Sequence, residues 1–250
     1  MHLARIDAPD ADWRLARAHL TELARTVVSA GADVAPDDLA AQASVLIDVL
    51  TVRFGYAGDR ETYDDLANAN LIRVTERKRG LPVALGILWL HTARAAGWAG
   101  HGLDFPGHFL IALEGARTQA VLDVFEGGEA MDAKDLRALL KRVEGPQAEL
   151  RPGLLTPMPT RAVLLRLQNN IMSRRLRAGD VRGGLDCITG MLRFAPEEAP
   201  LWREAALLHQ QLDEVSAALR SYERFLALVP DGSAAERARA AMDALRSRLN

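Results

Sequence analysis

Apolar positions recur at helical spacing through most of this chain, with one interval where the spacing shortens. Residues 11–30 carry Trp13, Leu15, Leu20, Leu23 and Val27 as a stripe, and Gly31 supplies a C-terminal stop, so a helix is predicted there. A second helix is expected after Pro36, where Asp37 and Asp38 suit the positive end of the helix dipole. Leu39, Val45, Leu46 and Val49 carry it to about Arg53. Phe54 to Asp59 reads as a turn, and a short helix is expected over Leu71 to Lys78. Gly80 and Pro82 break that helix and open the next. Residues 82–96 are apolar nearly all round, the pattern of a helix buried in a core, and Gly97 and Gly100 end it. Beyond Gly102 the texture changes. Phe105 to Leu113 and Ala120 to Phe125 are short apolar segments flanking Glu114 to Gln119, and they predict a β-hairpin closed by Gly127-Gly128. A helix at about 132–143 follows, and then a stretch bearing Pro146, Pro152, Pro157 and Pro159, the expected linker.

The remainder reads as helical and repeats itself. Gly184-Leu185 recurs as Ala218-Leu219 and Phe194-Ala195-Pro196 as Leu228-Val229-Pro230, both at an offset of 34 residues, the period of a tetratricopeptide helical hairpin. Gly184 and Ala218 are small enough for close helix crossing, and each proline ends the second helix of its pair. A helix at about 233–248 caps the array, as stacked units need.

The hairpin carries the candidate chemistry. If its loop is the two-residue turn Gly115-Ala116, paired residue numbers sum to 231, and His108 and Asp123 satisfy that sum. They would then stand opposite on one face, the carboxylate holding an imidazole nitrogen. A longer loop would shift the register. His101 and His108 lack further ligands at zinc spacing, no His-Glu-x-x-His occurs, and no glycine loop is built to cradle phosphate. No metal or other cofactor is therefore expected.

Composition narrows the remaining choices. With 31 basic against 33 acidic residues, bulk charge favours neither nucleic acid nor an anionic membrane as a partner. The basic groups Arg73, Arg77, Lys78, Arg79 and Arg174, Arg175, Arg177 lie on helical segments and read as solvated faces. Cys187 is the sole cysteine, which excludes an intramolecular disulfide and a thiolate metal cluster. Met1 to Asp7 lacks the apolar core of a signal peptide, and the apolar run Leu81 to Leu90 is half the roughly 20 residues a membrane span needs. A soluble, cytoplasmic protein is expected.

Gly80-Leu81-Pro82, the buried helix ending at Gly97, Phe105-Pro106-Gly107-His108-Phe109 and Leu122 to Gly128 together resemble the bacterial transglutaminase-like domain that is fused to C-terminal tetratricopeptide repeats. Tyr63-Asp64, Asn68 and Leu71 resemble the family's segment before the helix. The resemblance implies an α+β transglutaminase-like (papain-like) domain over residues 1–150. An all-α domain over 151–250, two tetratricopeptide repeats plus a capping helix, would follow it. It also implies that His108 is a base and Asp123 its orienting partner. In active members of the wider superfamily a Gly-x-Cys opens the buried helix, where the dipole lowers the thiol pKa. Here that position is Pro82, and a serine two residues later would fall at Ala84. Cys187 lies in the repeats, and neither Tyr63, Thr75 nor Thr92 stands at a nucleophile's place. The expectation is a non-catalytic protein that binds a protein or peptide partner through its repeats. The alternative is a hydrolase or acyl-transfer enzyme using His108 and Asp123 with water or an unrecognised nucleophile.

Overall fold

A computed structural model describes residues 2–248 of the chain, which divides into two compact units after Leu167. The first unit is α+β. Its helices are α1 (His2–Asp7), α2 (Trp13–Ala30), α3 (Leu39–Leu46), α4 (Leu71–Arg77), α5 (Pro82–Ala95), α6 (Ala133–Glu144) and the first turns of α7 (Thr160–Arg177). Its strands are β1 (Ala57–Gly58), β2 (Arg79–Gly80), β3 (Gly100–Phe105), β4 (His108–Glu114), β5 (Gln119–Asp123), β6 (Glu129–Ala130) and β7 (Pro157–Met158). β1 and β2 form a short parallel pair. The other five form an antiparallel sheet in the order β6-β5-β4-β3-β7.

Local chemistry sets the helix ends. Asp12 caps α2 by accepting from the backbone N–H groups of Arg14 and Leu15, and Asp38 caps α3 through Ala41. α3 widens into a π-helical segment, Ile47–Arg53, where the Phe54 N–H reaches back five residues to the Val49 carbonyl. Asn70 caps α4, and its amide also donates to the Ala4 carbonyl, tying α1 down. α4 stops at Lys78, whose φ of 58° is left-handed and swings the chain into β2. Pro82 at the first position of α5 supplies a φ already suited to a helix.

α5 is largely buried, as its apolar pattern predicts: Val83, Ala84, Leu85, Leu88, Trp89 and Ala93 are all in the core, while His91 and Arg94 near its C-terminal end are exposed. It lies on the sheet face that carries Phe109 and Ile111. A Cβ at position 86 would stand 2.4 Å from Phe109 Cε1, so glycine is what lets helix and strand meet. The opposite face carries Leu103, Phe105, Leu110, Ala112 and Val121, which α6 covers with Leu136, Leu139 and Leu140.

Three expectations need correction. The segment Phe105 to Leu113 is not one strand: Pro106 and Gly107, the latter at φ +65°, turn the chain between β3 and β4. The glycines at 100 and 102 masked β3, because a strand interior seldom carries them. The β4–β5 loop is Gly115–Thr118, four residues closed by the Gly115 N–H on the Thr118 carbonyl, so pairs sum to 233 rather than 231. The border expected at 150 and 151 falls inside the first unit. Ala148, Leu150, Leu154 and Leu155 pack against the α6 face, and β7 then pairs with β3. Pro157 is tolerated there because β7 is an edge strand.

The second unit is all-α: the remainder of α7, then α8 (Val181–Leu192), α9 (Ala199–Gln211), α10 (Val215–Leu228) and α11 (Ser233–Ser247). Ala206, Ala218, Tyr222, Phe225, Ala238, Met242 and Leu245 form a buried cluster spanning α9, α10 and α11. A Cβ at position 184 would lie 2.5 Å from Leu176 Cδ2, so the small residue there does permit a close crossing.

Gly86→Ala inverts an ordinary rule. In a helix interior that change normally stabilises by about 0.5–1 kcal/mol. Here the methyl collides with Phe109, and a loss of about 1–3 kcal/mol in urea unfolding is expected.

Candidate functional site

His108 opens β4 and Asp123 closes β5. In the observed register Asp123 stands opposite Leu110, one diagonal step from His108 on the same face. The contact predicted from the wrong register survives because the slip is two residues, and a strand's side chains alternate with period two. His108 Nε2 lies 2.9 Å from Asp123 Oδ2, with the imidazole 18% and the carboxylate 6% exposed. The other oxygen, Oδ1, accepts the backbone N–H groups of Phe125 at 3.0 Å and Glu126 at 3.3 Å. A carboxylate only accepts, so the neutral ring carries its hydrogen on Nε2 and leaves Nδ1 as the basic atom. The carbonyl of His108 accepts from Arg166 Nη2 at 3.0 Å, and Arg166 also pairs with Asp104.

The turn after Asp123 is pinned from behind. The Phe125 ring covers Gly58, where a Cβ would come within 2.5 Å of it, and meets Tyr63 edge to face at 5.9 Å. Glu126 pairs with Arg60, and Thr51 Oγ1 donates to the Gly127 carbonyl at 3.2 Å. Gly58 in turn pairs with Gly80 across β1 and β2, so the glycine that begins the motif before α5 is a strand partner of the wall behind the pair.

A buried carboxylate holds that wall in shape. Asp59 accepts from the Thr62 backbone at 2.8 Å and the Thr62 hydroxyl at 2.7 Å, and Arg77 bridges it to Asp65. The Thr62 hydrogen bonds, with Asn68 and Arg77 adding to them, hold the Asp59 carboxyl down to about 2. Asp59, Thr62 and Arg77 went unrecognised in the sequence, although Asp-x-x-Thr is the spacing of a side-chain-capped turn.

The structure also gathers three groups the sequence scatters. His19 Nε2 lies 2.6 Å from Lys78 Nζ and 3.0 Å from the Tyr56 hydroxyl. Burial lowers the pKa of both His19 and Lys78 and pushes the Tyr56 phenol up. No spacing rule links residues 19, 56 and 78.

The start of α5 carries no nucleophile. Leu81, Val83 and Ala84 are at most 2% exposed and Pro82 is buried with them. Thr75 donates to the Ile72 carbonyl and Thr92 to those of Leu88 and Trp89, both as buried helix hydroxyls. Tyr63 is half exposed against Phe125, and Cys187 is buried on α8 in the second unit. Among the described residues no group of three His, Cys, Asp or Glu side chains is placed to hold a metal ion.

The family profile described as "Transglutaminase-like superfamily" matches residues 15–169, and that of the "Tetratricopeptide repeat" matches residues 172–243. The two matches meet close to the division after Leu167. A UPF0162 protein of Xylella fastidiosa (strain Temecula1) is 32% identical over 181 residues, 71% of this chain and 64% of that protein. The matched part of the chain thus spans less than two thirds of that relative's length. A UPF0162 protein of Vibrio cholerae is 31% identical over 245 residues, 97% of this chain and 90% of its own. One of Pseudomonas aeruginosa is 30% identical over 164 residues, 66% of this chain and 60% of its own.

Two variants test how the site is held. Asp123→Ala leaves the turn N–H groups and the ring without an acceptor and is expected to destabilise by about 1–3 kcal/mol, while Asp123→Asn, whose carbonyl still caps the turn, loses less. For Asp59 the folded pKa lies below the ordinary value, so its stabilisation is full above the ordinary carboxylate range and fades as pH falls towards 2. Urea midpoints of Asp59→Asn and the parent should differ most near neutrality and converge in acid.

Proposed function

The chain belongs to the transglutaminase-like superfamily, and from that premise we propose that it is a non-catalytic binding protein that engages a protein or peptide through its tetratricopeptide repeats. One observation carries the reading. The place where the superfamily's nucleophile would stand, the first turn of α5, is Leu81-Pro82-Val83-Ala84, apolar and closed to solvent. Covalent acyl transfer needs an activated nucleophile, and none stands at that turn. Stacked helical repeats, by contrast, present extended faces suited to segments of other proteins. On α9 the buried positions Leu201, Ala205 and Leu208 leave Arg203, Leu207 and Gln211 exposed in a stripe, with Leu207 at 40% exposure. That stripe is the proposed contact. A cytoplasmic setting belongs to the same proposal. No helix among the described residues is long and apolar enough to cross a membrane.

A second reading has one specific support, the hydrogen-bonded His108–Asp123 pair with Nδ1 left basic. Such a pair activates water as a general base, and the protein would then be a slow hydrolase.

The two separate cleanly. Under the first reading, release of ammonia or amine from glutamine-containing and other amide peptides stays at background in the parent and in His108→Ala alike. The full chain retains a discrete partner from its native host, and Leu207→Glu, folded by circular dichroism, loses at least tenfold of that retention, the scale of removing one central apolar contact. Turnover above background that vanishes in His108→Ala establishes the second reading and removes the first.

A further inference from the structure

The first unit contains a pocket that the transglutaminase-like reading leaves unused. It measures about 240 Å³ and lies between the second half of α5, β3, β7 and the first turn of α7. Its walls are Ile87, Leu90, Met158, Val163 and Leu164, and its floor is the backbone of Gly100 and Gly102. The glycines leave the floor bare because Cβ atoms there would strike neighbours: the Ala112 carbonyl lies 2.7 Å from one and the Phe109 ring 2.7 Å from the other. His101 contributes main chain, since its ring is held by Glu114 on the α6 side of the sheet.

The mouth has a different character. His91 and Arg94 sit one turn apart on α5, both exposed, and neither has a hydrogen bond or an ion pair among the described residues. Thr160 stands across from them and opens α7. The first intrahelical bond of α7 runs from the Val163 N–H to the Pro159 carbonyl, so the preceding N–H groups have no helical acceptor. No acidic side chain lines the pocket. Apolar walls of this size, entered past an unpaired guanidinium, an imidazole and a helix start, are complementary to one kind of small molecule.

We propose that this pocket binds a small monocarboxylate with an unbranched or lightly branched apolar body, its tail against Leu90, Val163 and Leu164 and its carboxylate on Arg94. The proposal is independent of whether the repeats bind a partner. A guanidinium makes the strongest pairing available to a carboxylate at such a rim, by two parallel N–H donors. The closed floor and limited volume exclude a long acyl chain.

Octanoate is the probe, compared with octanol, octylamine and a short peptide ending in a free leucine carboxylate, by calorimetry and by methyl NMR on the full chain. The expected result is saturable one-to-one binding of octanoate, with shifts at Leu90, Met158, Val163 and Leu164. Octanol and octylamine should bind about tenfold more weakly, the loss of one charge-assisted hydrogen bond. Arg94→Gln, at an exposed position, should weaken octanoate by about the same factor and change octanol far less. Leu164→Trp, which fills the cavity, should abolish binding of both while leaving the melting curve cooperative. Equal binding of the three octyl compounds, indifference to Arg94→Gln, shifts elsewhere, or no saturation would overturn the proposal. A leucine-ended peptide outcompeting octanoate at the same residues would reassign the pocket to chain termini and overturn it as stated.

Discussion

The arrangement rests on the burial of α5 against the sheet at the contact between Gly86 and Phe109. A helix apolar over most of its surface must be largely enclosed, and enclosure on the Phe109 face is possible only where a side chain is missing. The helix begins at Pro82. Its first turn is drawn into the interior, with the Leu81 N–H donating to the Asn68 carbonyl at 2.9 Å and Pro82 having no N–H that needs an acceptor. In a catalytic relative the same turn would have to admit substrate. Here Leu81, Val83 and Ala84 are at most 2% exposed, so that turn is part of the core.

How much was legible in the sequence follows from which forces are local. α2 to α6 announced themselves through apolar period and glycine or proline breaks, although α1 and the capping roles of Asp12 and Asn70, which act within three residues of their targets, went unread. The sheet was less readable. β3 was hidden by glycines whose purpose is tertiary, clearing Phe109 and the Ala112 carbonyl, and sequence alone shows only the weak strand former. The expected linker failed for a related reason. Its prolines suggested an exposed connection, while Leu150, Leu154 and Leu155 pack on an α6 surface that has no signature at that position in the chain.

The His108–Asp123 pair was legible by parity rather than by register. The loop proved two residues longer than the two-residue turn, yet an even slip keeps both groups on one face, and a diagonal reach replaces a direct one. By contrast, the reach of Arg77 to Asp59 in the wall behind the pair joins elements too distant for a spacing argument, and so does the His19, Tyr56 and Lys78 cluster. Family resemblance found the former pair because its motifs span it. It was silent on the latter groups.

Lys78 links two of these themes. Among the described residues it is one of two non-glycine residues with left-handed backbone, at the hinge between α4 and the strand that carries Gly80, and its amine reaches His19 and the Tyr56 ring. Backbone preference at that hinge favours glycine, whereas the amine's contacts require a long side chain. A substitution at position 78 therefore sets the turn against the cluster. Relaxing the turn would empty the cluster, and preserving the cluster keeps the turn under tension.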